Sequence, residues 1–275
     1  MRRRLAVLLL VPFMAAAAHS QPPLRVACIG DSITYGDKID DRETRSYPAA
    51  LARLAQGRLA VGNFGVNGAT AISTFFRTWT DTLACRQALA FQPDAAVVML
   101  GINDLLGFRD RLDEYPAALR AVAARFQALP SKPRLFLCTL TPIAPPESAQ
   151  DVNRLIRETM NPAIRAVAAE TGATVVDVSA VFPNRMDLLP DGLHPTPAGA
   201  EIIAQAVWTA LEPLTVVPPQ IQPAPAAGPV DLSIRNEARA ARERAESWRR
   251  GRAAPPEEST PEPVADVAAW LPLLA

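Results

Sequence analysis

Four short segments of this 275-residue chain hold groups suited to covalent chemistry. Gly30-Asp31-Ser32-Ile33-Thr34 sets a hydroxyl beside a carboxylate. Asn63-Phe64-Gly65-Val66-Asn67-Gly68-Ala69-Thr70 offers a glycine-rich backbone. Gly101-Ile102-Asn103-Asp104 carries an amide, and Asp191-Gly192-Leu193-His194-Pro195-Thr196 pairs a carboxylate with an imidazole. A hydroxyl, backbone N–H groups, an amide and an Asp/His pair are the parts that acyl transfer needs. The chain has only two histidines, and His19 lies at the end of an apolar N-terminal stretch. His194 is therefore the one imidazole left to activate a serine; its alternative role is to cap the final helix. Asp191, three residues earlier, is within loop reach of that ring, yet Pro190-Asp191-Gly192 is also good turn chemistry. Asn103 and Asp104 can each act as caps. We read Asn103 as functional, Asp104 as structural, Asp31 as a turn-stabilising group, and Asn63 and Gly65 as residues that shape the backbone.

These segments follow apolar runs. Leu24–Gly30, Leu59–Phe64, Ala95–Leu100, Leu135–Leu140 and Ala173–Val178 read as five buried strands. Helical patterns lie between and after them, over Pro48–Ala55, Asp81–Ala90, Tyr115–Leu129, Val152–Glu170 and Ala198–Leu211. Thr196 and Pro197 give the last helix its cap and first-turn signals, and Ile202, Ile203, Ala206, Val207, Ala210 and Leu211 share one of its faces. Alternation of helices with fully apolar strands predicts a parallel sheet covered on both sides, a three-layer, doubly wound α/β domain. In such sheets ligands bind at the carboxyl ends of the strands. Three of the four segments follow strand ends, and the fourth precedes the last helix.

Taken in order, the four segments resemble the four signature blocks of the SGNH, or GDSL-type, serine hydrolases. The likeness runs from Leu24 to Leu211, over nearly all of the expected domain. The stretches Gly30–Gly36, Ser46-Tyr47-Pro48 and Asn63–Thr70 are similar to the secreted acetylesterase-like subgroup, which includes sialate O-acetylesterases. The resemblance implies a flavodoxin-like α/β/α fold with a five-stranded sheet in the order 2-1-3-4-5. It implies Ser32 as nucleophile, His194 as general base and then acid, and Asp191 as the group that holds the imidazole. It also implies an oxyanion hole made by the backbone N–H of Ser32, that of Gly68, where a side chain would crowd the acyl oxygen, and the Asn103 amide. Asn67 stands where Gly or Ser is commoner in the family, and Ile102 where Thr is common. The expected reaction is hydrolysis of short acyl esters, acetyl foremost, on a carbohydrate, without cofactor or metal. A lysophospholipase or thioesterase of the same fold is the alternative within the class; a non-catalytic glycan-binding module is the alternative outside it.

Composition narrows the field. Twenty-eight Lys and Arg against 28 Asp and Glu leave no basic surplus for nucleic acid. Three cysteines and two histidines exclude a disulfide scaffold and a zinc finger. Neither a Gly-x-Ser-x-Gly elbow, a phosphate loop nor a dinucleotide fingerprint is present. Met1-Arg2-Arg3-Arg4, the apolar Leu5–Ala18, and small residues at Ala16, Ala18 and Ser20 read as a signal peptide over residues 1–20. The mature protein is accordingly expected to be secreted or periplasmic, without a membrane span. Residues 21–211 form the expected hydrolase domain. Residues 212–275 hold eleven of the 27 prolines and read as a loosely docked or disordered tail of unassigned partner. Cys28 and Cys138 fall on strands one and four, which strand three separates in the expected order, so no disulfide joins them.

Overall fold

The computed structural model describes residues 22–74, 77–143, 149–182 and 186–216. The apolar runs pair as β1 (Leu24–Gly30), β2 (Leu59–Gly65), β3 (Ala95–Met99), β4 (Arg134–Cys138) and β5 (Thr174–Val176). All pairings are parallel, and the order is β2-β1-β3-β4-β5, as the family resemblance implies. Successive side chains of a strand point to opposite faces, and every residue of β3 is buried, so both faces of the sheet are covered. The expected signal peptide and nearly all of the expected tail lie outside the described residues.

The helices are α1 (Ser32–Tyr35), α2 (Arg42–Arg45), α3 (Tyr47–Leu54), α4 (Leu83–Ala90), α5 (Ile102–Gly107), α6 (Tyr115–Gln127), α7 (Gln150–Leu155), α8 (Asn161–Thr171) and α9 (Pro197–Val216). Helix α3 packs on α9 and on β2, while α6 packs on α8, which also lies against β4 and β5. Thr196 Oγ1 accepts from Gly199 N–H at 3.3 Å, the capping role its position suggests, and α9 continues past the expected end at Leu211 to Val216. One expectation is corrected. The pattern over Val152–Glu170 is not a continuous α-helix, because a π-turn at Ile156–Met160 separates α7 from α8. Pro162 lacks the N–H that an α-helix would use at that point, and its ring crowds the carbonyl one turn back, so the chain widens just before it. The interruption leaves Asn153 and Asn161 facing the segment after β4. Asn161 Oδ1 accepts from Leu140 N–H at 2.9 Å, and Asn153 makes bonds of 2.8 Å to both Ile143 N–H and Ile143 C=O.

The three cysteines are free and buried. Burial pushes the Cys28 thiol up to about 12 and Cys138 well above the usual thiol range, so both behave as small apolar side chains.

Candidate active site

Gly30 ends β1 between Gly65 of β2 and Met99 of β3, at the point where the strand order reverses. Ser32 is the first residue of α1. Asp31 caps that helix, its Oδ1 accepting from Ile33 N–H at 3.0 Å. The close fit of α1 on β2 depends on Gly65, where a Cβ would come within 2.2 Å of Tyr35 N. Asn63 braces the same contact, its Oδ1 accepting from Gly65 N–H at 3.0 Å and its amide donating to Tyr35 C=O at 3.4 Å. Both residues shape the backbone, as expected. Ser32 itself is 5% exposed.

The loop ahead of α9 brings the imidazole to this serine. Ser32 Oγ lies 2.9 Å from His194 Nε2, and His194 Nδ1 lies 2.7 Å from Asp191 Oδ2. A carboxylate only accepts, so Nδ1 carries the hydrogen and Nε2 is free to accept from the serine hydroxyl. The two readings of Asp191 turn out to be compatible. Its Oδ1 accepts from Leu193 N–H at 3.0 Å and from His194 N–H at 2.7 Å, which makes the turn, while its Oδ2 holds the ring. Burial pushes this carboxyl up, but the imidazole and the two backbone N–H groups outweigh it, and Asp191 sits well below the usual carboxylate range.

Gly68 lies in the loop after β2 with φ of +72°, a conformation that side chains rarely adopt. A Cβ there would meet Arg77 Cδ at 3.4 Å, an ordinary contact. Among the protein's own atoms the constraint at Gly68 is thus the backbone angle. Asn103, half-buried in α5, donates from its amide to Ala69 C=O at 3.0 Å, which uses one of its two amide hydrogens. Asp104 does not cap its own helix. Its carboxylate reaches across to the loop after β2, taking Ala71 N–H at 3.0 Å and Ile72 N–H at 2.7 Å. The structural reading of Asp104 holds, and its partners are the loop that carries Gly68. Asn67 C=O accepts from the Arg77 guanidinium, and Ile102 is buried as the first residue of α5.

Two further carboxyls lie buried behind Ser32. Burial raises Asp31 to about 7; the Ile33 N–H bond and His194 pull it down, and Asp104 pushes it up. Burial also raises Asp104, to about 6, against the pull of the Ile72 and Ala71 N–H bonds. A carboxylate that the sequence reading missed stands at the front of the site. Asp37 Oδ2 is 3.8 Å from His194 Nε2. Its only signal in the sequence is a place shortly after Ser32 and directly after a glycine.

The chain is 32% identical over 215 residues to an acetylxylan esterase of Xylanibacter ruminicola, a match that covers 71% of this chain and 44% of that protein. The chain thus spans less than half the length of this relative. Among solved structures, an α/β hydrolase from the metagenome of Lake Arreo, Spain, matches with a TM-score of 0.55 and 26% identity over 69% of this chain and 95% of its own. An acetylxylan esterase from Geobacillus stearothermophilus matches with a TM-score of 0.55 and 25% identity, covering 68% of this chain and 93% of its own. The model of the GDSL-like lipase/acylhydrolase family matches residues 28–202, a stretch that runs from within β1 into α9 and takes in Ser32, Gly68, Asn103, Asp191 and His194; the chain belongs to that family.

Proposed function

We propose that this protein is an exported serine esterase that removes short acyl groups, acetyl foremost, from a carbohydrate. The observation that carries the reading is the run of short contacts from Ser32 Oγ to His194 Nε2, 2.9 Å, and from His194 Nδ1 to Asp191 Oδ2, 2.7 Å. In acylation, Ser32 Oγ attacks the ester carbonyl as its proton passes to Nε2. The carbonyl oxygen takes up negative charge, which the backbone N–H groups of Ser32 and Gly68 and the second amide hydrogen of Asn103 receive. The bond from carbon to the alcohol oxygen then breaks as Nε2 returns the proton to that oxygen. Deacylation repeats the sequence with water in place of the serine, freeing the acid and restoring Ser32. Asp191 stays ionised throughout, fixes the tautomer and favours the imidazolium that each step passes through.

Acetyl as the acyl group and carbohydrate as the carrier are supported by the two acetylxylan esterases to which the chain is similar. Export rests on the basic start, apolar stretch and small residues of positions 1–20. The mass of the protein recovered from the periplasm or medium, expected to lack that segment, checks it. For the activity, acetate release from acetylated xylan is measured beside an ester series of rising acyl length. Acetate release that Ser32→Ala lowers at least about a thousandfold is expected. Wild-type rates in that variant would end the serine mechanism, and rates that climb with acyl length would favour a lysophospholipase or thioesterase.

A further inference from the structure

Helix α1 ends at Gly36, whose φ of +87° turns the chain back on itself. Gly36 N–H and Asp37 N–H both donate to Ser32 C=O at 2.9 Å. A Cβ at Gly36 would approach Ser46 Cβ to 2.8 Å, so the turn is held sterically as well as by its backbone angle. The Asp37 carboxylate is thereby carried back over the residue that begins the helix, with Oδ2 at 3.8 Å from His194 Nε2. That is the nitrogen facing Ser32 Oγ, whereas Asp191 occupies the other nitrogen of the ring. The Asp37 side chain is 32% exposed and the imidazole 5%, so this carboxylate marks the solvent edge of a buried base.

Orientation of the ring needs no second carboxylate, because Asp191 already provides it. We propose that Asp37 is a specificity-determining residue on the alcohol side of the ester: it accepts a hydrogen bond from a hydroxyl neighbouring the ester oxygen and disfavours leaving groups that carry negative charge. The inference rests on the esterase reading, in which Nε2 returns a proton to the alcohol oxygen. That oxygen must then sit within hydrogen-bond distance of Nε2, roughly 2.7–3.2 Å. Asp37 Oδ2 lies 3.8 Å from the same nitrogen, so a group that flanks the ester oxygen on that side meets it. An ionised carboxylate has no hydrogen to give. It rewards a polyhydroxyl neighbour with a charge-assisted bond, gains nothing from an ether or a bare ring, and repels an anion. The substrate class it selects is an acyl ester of a neutral polyol, with a free hydroxyl beside the ester, rather than of an acidic sugar.

The test uses initial rates of the purified protein on four acetates. These are a methyl xyloside acetate with the neighbouring hydroxyl free, the same ester with that hydroxyl methylated, an acetylated methyl glucuronide, and an aryl acetate as reference. Each kcat/KM is taken as a ratio to the aryl acetate. In the wild type the free-hydroxyl ester should exceed its methyl ether by roughly ten- to a hundredfold, the worth of a charge-assisted hydrogen bond. Asp37→Ala should shrink that preference to about threefold or less. Asp37→Asn keeps a neutral acceptor, so it should retain part of the preference while raising the glucuronide ratio about tenfold. Equal losses on all four esters would make Asp37 a general electrostatic partner of the imidazole and overturn the proposal, as would ratios unchanged in both variants. Absence of Ser32-dependent hydrolysis of any of the four would take down the esterase reading and this inference with it; a uniform loss would sink this inference alone.

Discussion

Replacing Asp31 with Asn should make the protein more stable at neutral and alkaline pH, although it alters the residue next to the proposed nucleophile. The Asp31 carboxyl is 1% exposed and titrates at about 7 in the folded chain, against an ordinary 3.8. Between those values the folded protein keeps a proton that the unfolded chain has released. Stability therefore falls as pH rises from about 4 to about 7, and the full penalty is present above that window. A shift of about 3 units, at about 1.4 kcal/mol each, sets the ceiling of the effect near 4 kcal/mol. Asparagine keeps the shape and an oxygen to accept from Ile33 N–H, now at 3.0 Å, but never ionises. Asp31→Asn should match the wild type near pH 4 and surpass it by up to about 4 kcal/mol at pH 8. For a domain of this size that corresponds to about 8–16 °C in Tm. Asp104 contributes a slope of the same sign between about 4 and 6, but it does so in both proteins and largely cancels in the difference. Urea unfolding of the two proteins at each unit from pH 4 to pH 8 measures the divergence directly. A difference that stays flat across the series, or that favours the wild type as pH rises, would show that Asp31 is not a carboxyl held protonated by burial.

Asn103→Ala should lower kcat by about 10²–10³ with little change in KM, because an oxyanion donor acts mainly in the transition state; an effect confined to KM would make Asn103 a substrate-binding residue instead. Asp104→Ala strands the buried N–H groups of Ala71 and Ile72 and should cost about 2–4 kcal/mol by urea unfolding, while Asp104→Asn, which keeps an acceptor, should recover part of it. Thiol titration of the denatured, unreduced protein should find three free cysteines; a count of one, with peptide mapping to a Cys28–Cys138 pair, would contradict the sheet order that keeps these two on strands separated by β3.

The fold was legible because its three central strands, β1, β3 and β4, are largely buried on both faces. Ala95–Met99 reads as strand without any alternation, since no residue of it meets water. Strand β1 keeps the expected Leu24–Gly30, the boundaries of β2, β3 and β4 moved by a residue or two, and β5 shrank to Thr174–Val176 at the open edge of the sheet, where pairing on one side only gives less to hold. The long helical pattern before β5 misled because periodicity alone does not register a missing N–H. Pro162 was visible in the sequence, but the apolar positions on either side kept the helical spacing that the π-turn accommodates.

The site was legible to the extent that its groups are local or chemically singular. His194 is the only histidine of the domain, and Asp191 reaches it within one turn, so a pattern of residue types sufficed. Asp37, and the partners of Asp104, escaped for the opposite reason. Each acts across the fold, Asp104 on backbone N–H groups of the loop after β2 and Asp37 on an imidazole delivered by the loop before α9. Backbone N–H groups are present in every residue but proline, so no residue type marks the partner of Asp104. For Asp37 the decisive fact is the left-handed turn at Gly36, which folds the chain back over Ser32. Had Gly36 continued the helix, residue 37 would have advanced along its axis instead of returning to the site. Ser32, Asp191 and His194 could thus be named from their types, whereas the place of Asp37 beside the imidazole emerges only when the turn is built.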